Sequence, residues 1–282
     1  MSQTWKTLVR RIEAHAQNVR LGVSAITPNA DTWCYCGDTQ FPSASAAKIP
    51  IMISIYRMLD AGRLSLDTDY VLSDADKANG AGVLRHLSKG LTLRLRDLLY
   101  LMIAISDNTA TNLLIHTAGM GNINATMREL GMVNSRLSRL MVGRLATEGE
   151  QENLATANDY ALATHAIVSG EAASQTACEA MMALLSLQQN NRRIGRYVPV
   201  DDRYAWGSKN GTNPGITHDV GFVSSPAGTL SLAVLVCDAP DEVTGEAIIA
   251  DITAAALQDV FPEDPSIARI KLPDYASFAV SK

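Results

Sequence analysis

From Ala46 to Gly170 the apolar positions recur at three- and four-residue spacing. The pattern runs through IPIMISIYRMLDAGRL, LRLRDLLYLMIAI, NTATNLLIHTAG, INATMRELG and NDYALATHAIVSG and predicts a series of helices. Gly62, Gly119, Gly131 and Gly170 stand where these helices should stop. Thr156, with Asp159 three residues on, resembles a capping box opening the last of them. The flanks follow a different period. Residues 4–17 predict a helix carrying Leu8, Ile12, Ala14 and Ala16 among charges. LGVSAIT and TWCYCG alternate as strands around the turn residues PNAD, which predicts a hairpin. After about residue 195, RYAWGSKNGT, THDVGFVSS and TLSLAVLVCD predict three more strands. TGEAIIADITAAALQDVF then predicts a long helix, and a Pro-containing tail follows from Phe261. Strands at both ends of the chain predict one shared sheet with a helical domain inserted between them. The expected boundaries are 1–42 and 196–282 for the sheet domain and 43–195 for the helical one.

Composition changes this picture little. A chain of 282 residues suits one large or two joined domains. A net charge of −5 lacks the basic footprint of a nucleic-acid or anionic-membrane partner. No apolar run approaches a membrane span; LLYLMIAI stops at Ser106. The N-terminal stretch has no apolar core followed by a small-residue cleavage site. Cys34, Cys36, Cys178 and Cys237 are scattered, and Cys34 and Cys36 alternate along a strand. They are expected to be free thiols, with no metal site and no cofactor. Together these favour the cytoplasm, a processed exported chain being the other account. A monomer or weak homodimer is expected.

Three short motifs hold candidate chemistry. Ser45-x-x-Lys48 puts an amine within one turn of a hydroxyl, where a desolvated lysine can take the serine proton. By itself it also reads as a helix start with a solvated lysine. Pro50 marks a first helical turn, which places Ser45 near the positive end of the helix dipole. Ser106-Asp107-Asn108 also reads as a helix C-cap followed by an N-cap. Lys209-Asn210-Gly211-Thr212 reads either as a hairpin turn or as a place where the backbone meets a substrate and offers an amide to an oxyanion.

In their order and spacing, FPSASAAK, SDNTATN and KNGT resemble the S-x-x-K, S-D-N and K-T-G motifs of class A β-lactamases and penicillin-binding proteins. The resemblance extends over most of the chain and includes the "RLSR" at 136–139. It implies an α+β fold: a five-stranded antiparallel sheet flanked by helices, plus an inserted all-helical domain, with the site between them. It also implies roles. Ser45 becomes the acyl-forming nucleophile and Lys48 its base. Ser106 carries a proton to the leaving group, and Asn108 holds the substrate amide. Lys209 supplies positive field, and Gly211 and Thr212 line the substrate. The amides of Ser45 and Thr212 form the oxyanion hole. Asn210 departs from the family, which has Thr or Ser there. His218 falls near the family's carboxylate-binding arginine and is expected to do part of its work. Asp107 is expected to be a buried structural hydrogen-bonder.

The larger departure is in the loop after Arg139. Alignment on R-L-x-R puts Met141 where class A enzymes carry the deacylating glutamate, and Leu145 where they hold the water with Asn. Asn153 falls near the Asp that pairs the loop arginine. Glu148, Glu150 and Glu152 follow, and they also read as a solvated acidic loop. Glu148 is the expected substitute base if one exists. The expected activity is a serine hydrolase acting on a β-lactam or related small amide or ester, with weak penicillinase turnover. A penicillin-binding-like peptidase or acylation sensor, and a non-catalytic scaffold, are the competing readings.

Overall fold

The computed structural model describes residues 5–272. In chain order the elements are α1 (Lys6–Ala16), β1 (Arg20–Ile26), β2 (Thr32–Tyr35), β3 (Phe41–Pro42), α2 (Lys48–Asp60), β4 (Asp69–Val71), β5 (Thr92–Arg94), α3 (Leu95–Ala104), α4 (Asn108–Ala118) and α5 (Met120–Glu129). Then come β6 (Leu154–Ala155), α6 (Ala157–Val168), α7 (Gln175–Ser186), β7 (Ala205–Asn213), β8 (Ile216–Ser225), β9 (Gly228–Cys237), α8 (Glu242–Val260) and α9 (Pro265–Ala268). The sequence pattern does not single out α7, α9 or the short strands. Of the tail, residues 273–282 lie outside the described residues.

The main sheet has five antiparallel strands in the order β2-β1-β9-β8-β7. Strand alternation sorts its side chains onto two cores. Leu230, Leu232, Val234 and Val236 of β9 join Ile249, Ile252 and Leu257 of α8 and Leu8 and Ile12 of α1. Ala233 and Leu235 face the other way, into the core shared with α2, α3, α4 and α6. That second core surrounds α2, whose residues from Lys48 to Tyr56 are all buried. A helix buried on every side belongs at the centre of a core. Its first turn is therefore where the sheet and the helices meet.

The hydrophobic period explains the helices, and side chains close their ends. The Thr156 hydroxyl accepts from the Asp159 amide at the start of α6, and Asp107 does the same for the Ala110 amide at the start of α4. Among the described residues no helix is long and apolar enough to cross a membrane.

Candidate active site

Ser45 sits in a short 3₁₀ turn, Ala44–Ala47, that leads into α2 at Lys48. Ala44 holds φ at +44°, a left-handed conformation that a non-glycine residue adopts at a cost. The turn is anchored from behind, where the Ser43 amide donates to the Asn153 carbonyl at 2.7 Å. Gly211 of β7 packs directly on it. A Cβ at Gly211 would lie 3.2 Å from the Ser43 carbonyl oxygen, the Ala46 nitrogen and the Ala44 Cβ. β7 is an edge strand, and a side chain at this position would push it away from the serine.

Lys48 is fully buried. Its Nζ lies 2.9 Å from Ser106 Oγ, 2.6 Å from the Ser106 carbonyl oxygen and 2.9 Å from Asn108 Oδ1. No hydrogen bond to Ser45 Oγ is formed, so the amine is tied to the Ser106–Asn108 segment. Burial, reinforced by the charge of Lys209 and opposed by Asp107, pushes the Lys48 pKa well below that of a free lysine. Ser106 adopts φ +61° between α3 and α4, a turn that presents its hydroxyl to Lys48. Asn108 spans the cleft: its Oδ1 accepts from Lys48, and its Nδ2 donates to the Asn79 carbonyl.

Asp107 holds this corner together. It is buried and accepts from the Val83, Leu84 and Ala110 amides. Gly82, at φ +106°, passes so close that a Cβ there would collide with the Asp107 carboxylate.

Lys209 is fully buried on β7, and its Nζ donates to the Asn210 carbonyl oxygen at 3.0 Å and to Asn210 Oδ1 at 2.7 Å. Burial lowers its pKa to about 7, with Asp219 resisting that shift and Arg193 adding to it. Ser45, Asn108, Thr212 and Met141 line one cavity of about 140 Å³, together with Gly80, Arg139 and Glu152.

Two expectations need correction. His218 offers no cation to the cleft. It is fully buried; its Nε2 donates to the Pro42 carbonyl at 2.9 Å, and its Nδ1 accepts from the Val236 amide at 3.1 Å. Both ring nitrogens serve the backbone, and burial pushes its pKa down to about 4, so the ring is neutral. Glu148 is exposed and lies outside the cavity lining. The carboxylate that does line it is Glu152. Glu152 binds Arg139 at 2.8 Å and accepts from the Ala146 and Asn153 amides. The loop arginine thus pairs with Glu152, while Asn153 Oδ1 accepts from the Ser138 and Arg139 amides. Arg139 Nη1 is buried and has no partner among the described residues. Met141 is 8% exposed, and Asn112 holds its backbone on both sides through the Met141 amide and carbonyl.

Sequence reasoning passed over Arg193, which is fully buried behind β7. It binds Glu246 and Glu242, the Gly211 and His218 carbonyls and Thr212 Oγ1. Nothing local marks it, because its partners come from β7, β8 and α8.

The sequence profile of the β-lactamase enzyme family matches residues 4–260. The chain belongs to that family. Its fold overlays a β-lactamase crystal structure from Sphaerobacter thermophilus at TM-score 0.90, with 49% identity, covering 93% of this chain and all of that one. A β-lactamase of Rhodobacter capsulatus is 34% identical over 134 residues, 47% of this chain and 45% of that protein. The match therefore spans about half the length of this curated relative. PBP-A, at 22% identity and TM-score 0.82, shares the fold over 92% of this chain and 96% of its own. The β-lactamase fold of the family is the α+β fold expected above, and the family makes the chain a β-lactamase-like hydrolase.

Proposed function

We propose that this family member is a serine hydrolase of class A type that acts through an acyl-enzyme on Ser45. The observation that carries the reading is the fully buried Lys48 amine, one turn from Ser45 and 2.9 Å from Ser106 Oγ. A neutral Lys48 takes the Ser45 proton as Oγ bonds to the substrate carbonyl carbon. The Ser45 and Thr212 amides stabilise the oxyanion. When the carbon–nitrogen or carbon–oxygen bond breaks, Ser106 gives its proton to the leaving atom and regains one from Lys48. Water then adds to the ester, the bond to Oγ breaks, and Ser45 recovers its proton.

The second half lacks an evident base. A thioether cannot accept a proton from water, and the cavity carboxylate, Glu152, is committed to Arg139. Penicilloyl release is therefore slow in this reading. The same two facts favour, as a second reading, a penicillin-binding-like peptidase or acylation sensor that keeps its acyl group.

Incubation with a fluorescent penicillin and a p-nitrophenyl ester, followed by intact mass over time, tests this. The wild type should gain a penicilloyl adduct that persists, and Ser45→Ala should gain none. An adduct that survives Ser45→Ala would overturn the assignment.

The pH dependence has a definite shape. Acylation needs Lys48 neutral, so its rate rises as pH climbs through the lowered Lys48 pKa. It also needs the positive field of Lys209, which is present below about pH 7 and fades above it. The acylation rate should therefore fall on the alkaline side with an apparent pKa near 7, and Lys209→Arg should move that limb upward. Rates that stay flat from pH 6 to 9 would remove Lys209 from the step.

A further inference from the structure

Arg193 stands just ahead of the 3₁₀ turn Ile194–Tyr197, fully buried behind β7, and lines no part of the cavity around Ser45. A buried guanidinium is costly to desolvate, and its ion pairs with Glu246 at 3.3 Å and Glu242 at 2.8 Å offset that cost. The remaining bonds go to β7 and β8. Nη1 donates to the Gly211 carbonyl at 3.2 Å and to the His218 carbonyl at 2.8 Å, and Nη2 donates to Thr212 Oγ1 at 2.7 Å.

The Gly211 carbonyl and the Thr212 amide belong to one peptide unit. Gly211 stands opposite His218 in the pairing of β7 with β8. One nitrogen reaches both carbonyl oxygens because both point into the gap between these two strands. In a trans peptide the carbonyl and the amide point opposite ways, and no peptide bond among the described residues is cis. The Thr212 N–H therefore points off the outer side of the edge strand β7, where Thr212 and Ser45 line the same cavity. A cationic donor on a carbonyl oxygen draws electron density from the N–H of the same peptide and strengthens it as a donor. The second bond, to Thr212 Oγ1, keeps the peptide from turning.

We infer that Arg193 is a positioning residue for the oxyanion hole: from behind β7 it orients and polarises the Gly211–Thr212 peptide, which makes the Thr212 N–H a stronger donor to the charge that develops on the substrate carbonyl oxygen. It does this without touching the substrate. A donor held ready in this way acts on charge that appears in the transition state. The inference rests on the Ser45 reading above, and it deepens that reading by naming what holds one of the two oxyanion donors in place.

Removing Arg193 alone would strand the buried Glu246 carboxylate, so the test variant combines Arg193→Met with Glu246→Gln. Arg193→Lys keeps the charge but loses the planar fork that holds carbonyl and hydroxyl together. Acylation is read from the p-nitrophenolate burst with a neutral p-nitrophenyl ester and from adduct growth with penicillin. Isotope-edited infrared spectra of the penicilloyl adduct read the hydrogen bonding at the ester carbonyl, which a role in stability alone would not move. The double variant should acylate roughly tenfold more slowly with both substrates, less than the about 100- to 1,000-fold worth of a whole oxyanion donor. Its ester carbonyl band should move to higher frequency, and Arg193→Lys should be intermediate on both readouts. A loss confined to penicillin would mean that Arg193 serves a substrate carboxylate, and would overturn the inference. So would wild-type rates, or a carbonyl band that stays in place, in the folded double variant; the Ser45 reading then stands. If the double variant does not fold, Arg193→Lys decides, and wild-type rates or an unmoved band there overturn the inference. A wild type that forms no adduct overturns the Ser45 reading and this inference with it.

Discussion

Met141→Glu should speed the hydrolysis of a penicilloyl ester on Ser45 by roughly 100- to 10,000-fold, the usual worth of a positioned general base. The geometry favours the exchange. Met141 lines the cavity that contains Ser45, and Asn112 clamps its amide and its carbonyl at 2.8 and 2.9 Å. The backbone is thus already fixed, and glutamate is close to methionine in length. Glu152, the carboxylate already in the cavity wall, is occupied by Arg139 and two amides. If Leu145 takes the place of the water-holding Asn, as the Arg136–Arg139 register implies, Met141→Glu with Leu145→Asn should exceed the single change. The measurement is the decay of the adduct by intact mass after removal of excess penicillin. An adduct equally long-lived in wild type and variant would show that the missing base is not what limits release.

Lys48→Met should slow acylation of Ser45 by a similar factor, roughly 100- to 10,000-fold. Methionine keeps much of the volume of the buried stem, and the substitution also removes the cost of desolvating an amine. It leaves Ser106 Oγ and Asn108 Oδ1 without the donor that now joins them, so the melting temperature must be followed alongside. A stable, folded Lys48→Met that acylates at the wild-type rate would assign the proton transfer to another group. Arginine at this position should not rescue the rate, because a guanidinium does not give up its proton near neutrality.

Much of the architecture was legible in the chain. The switch from a helical period to alternation near residue 195 marked the sheet strands, and the run of helices between the two sheet segments was equally plain. α7 was less legible: its buried side chains are Ala177, Cys178, Met181 and Leu185, and the apolar Met182 and Leu184 between them blur the period. The KNGT segment was ambiguous between turn and strand. The structure puts it inside β7, with the turn falling at Pro214 and Gly215. That outcome follows from pairing: Lys209 to Asn213 find partners on β8 from Val220 to Ile216, so the strand runs on until proline interrupts it.

The site divides along the same line. Ser45 and Lys48 lie one turn apart, so their nearness is a local fact that spacing alone reveals. So is the identity of Met141, read by register from the arginines before it. His218, Glu148 and Glu152 are different. Whether a histidine is a cation depends on what buries it, and here strands β3 and β9 take both ring nitrogens. Which of three glutamates faces the cavity depends on the path of a loop tied by Arg139 and Asn153. Local spacing determines which side chains can act together along one helix. Burial, pairing and charge state come from residues far apart in the chain, and only the folded packing brings these together.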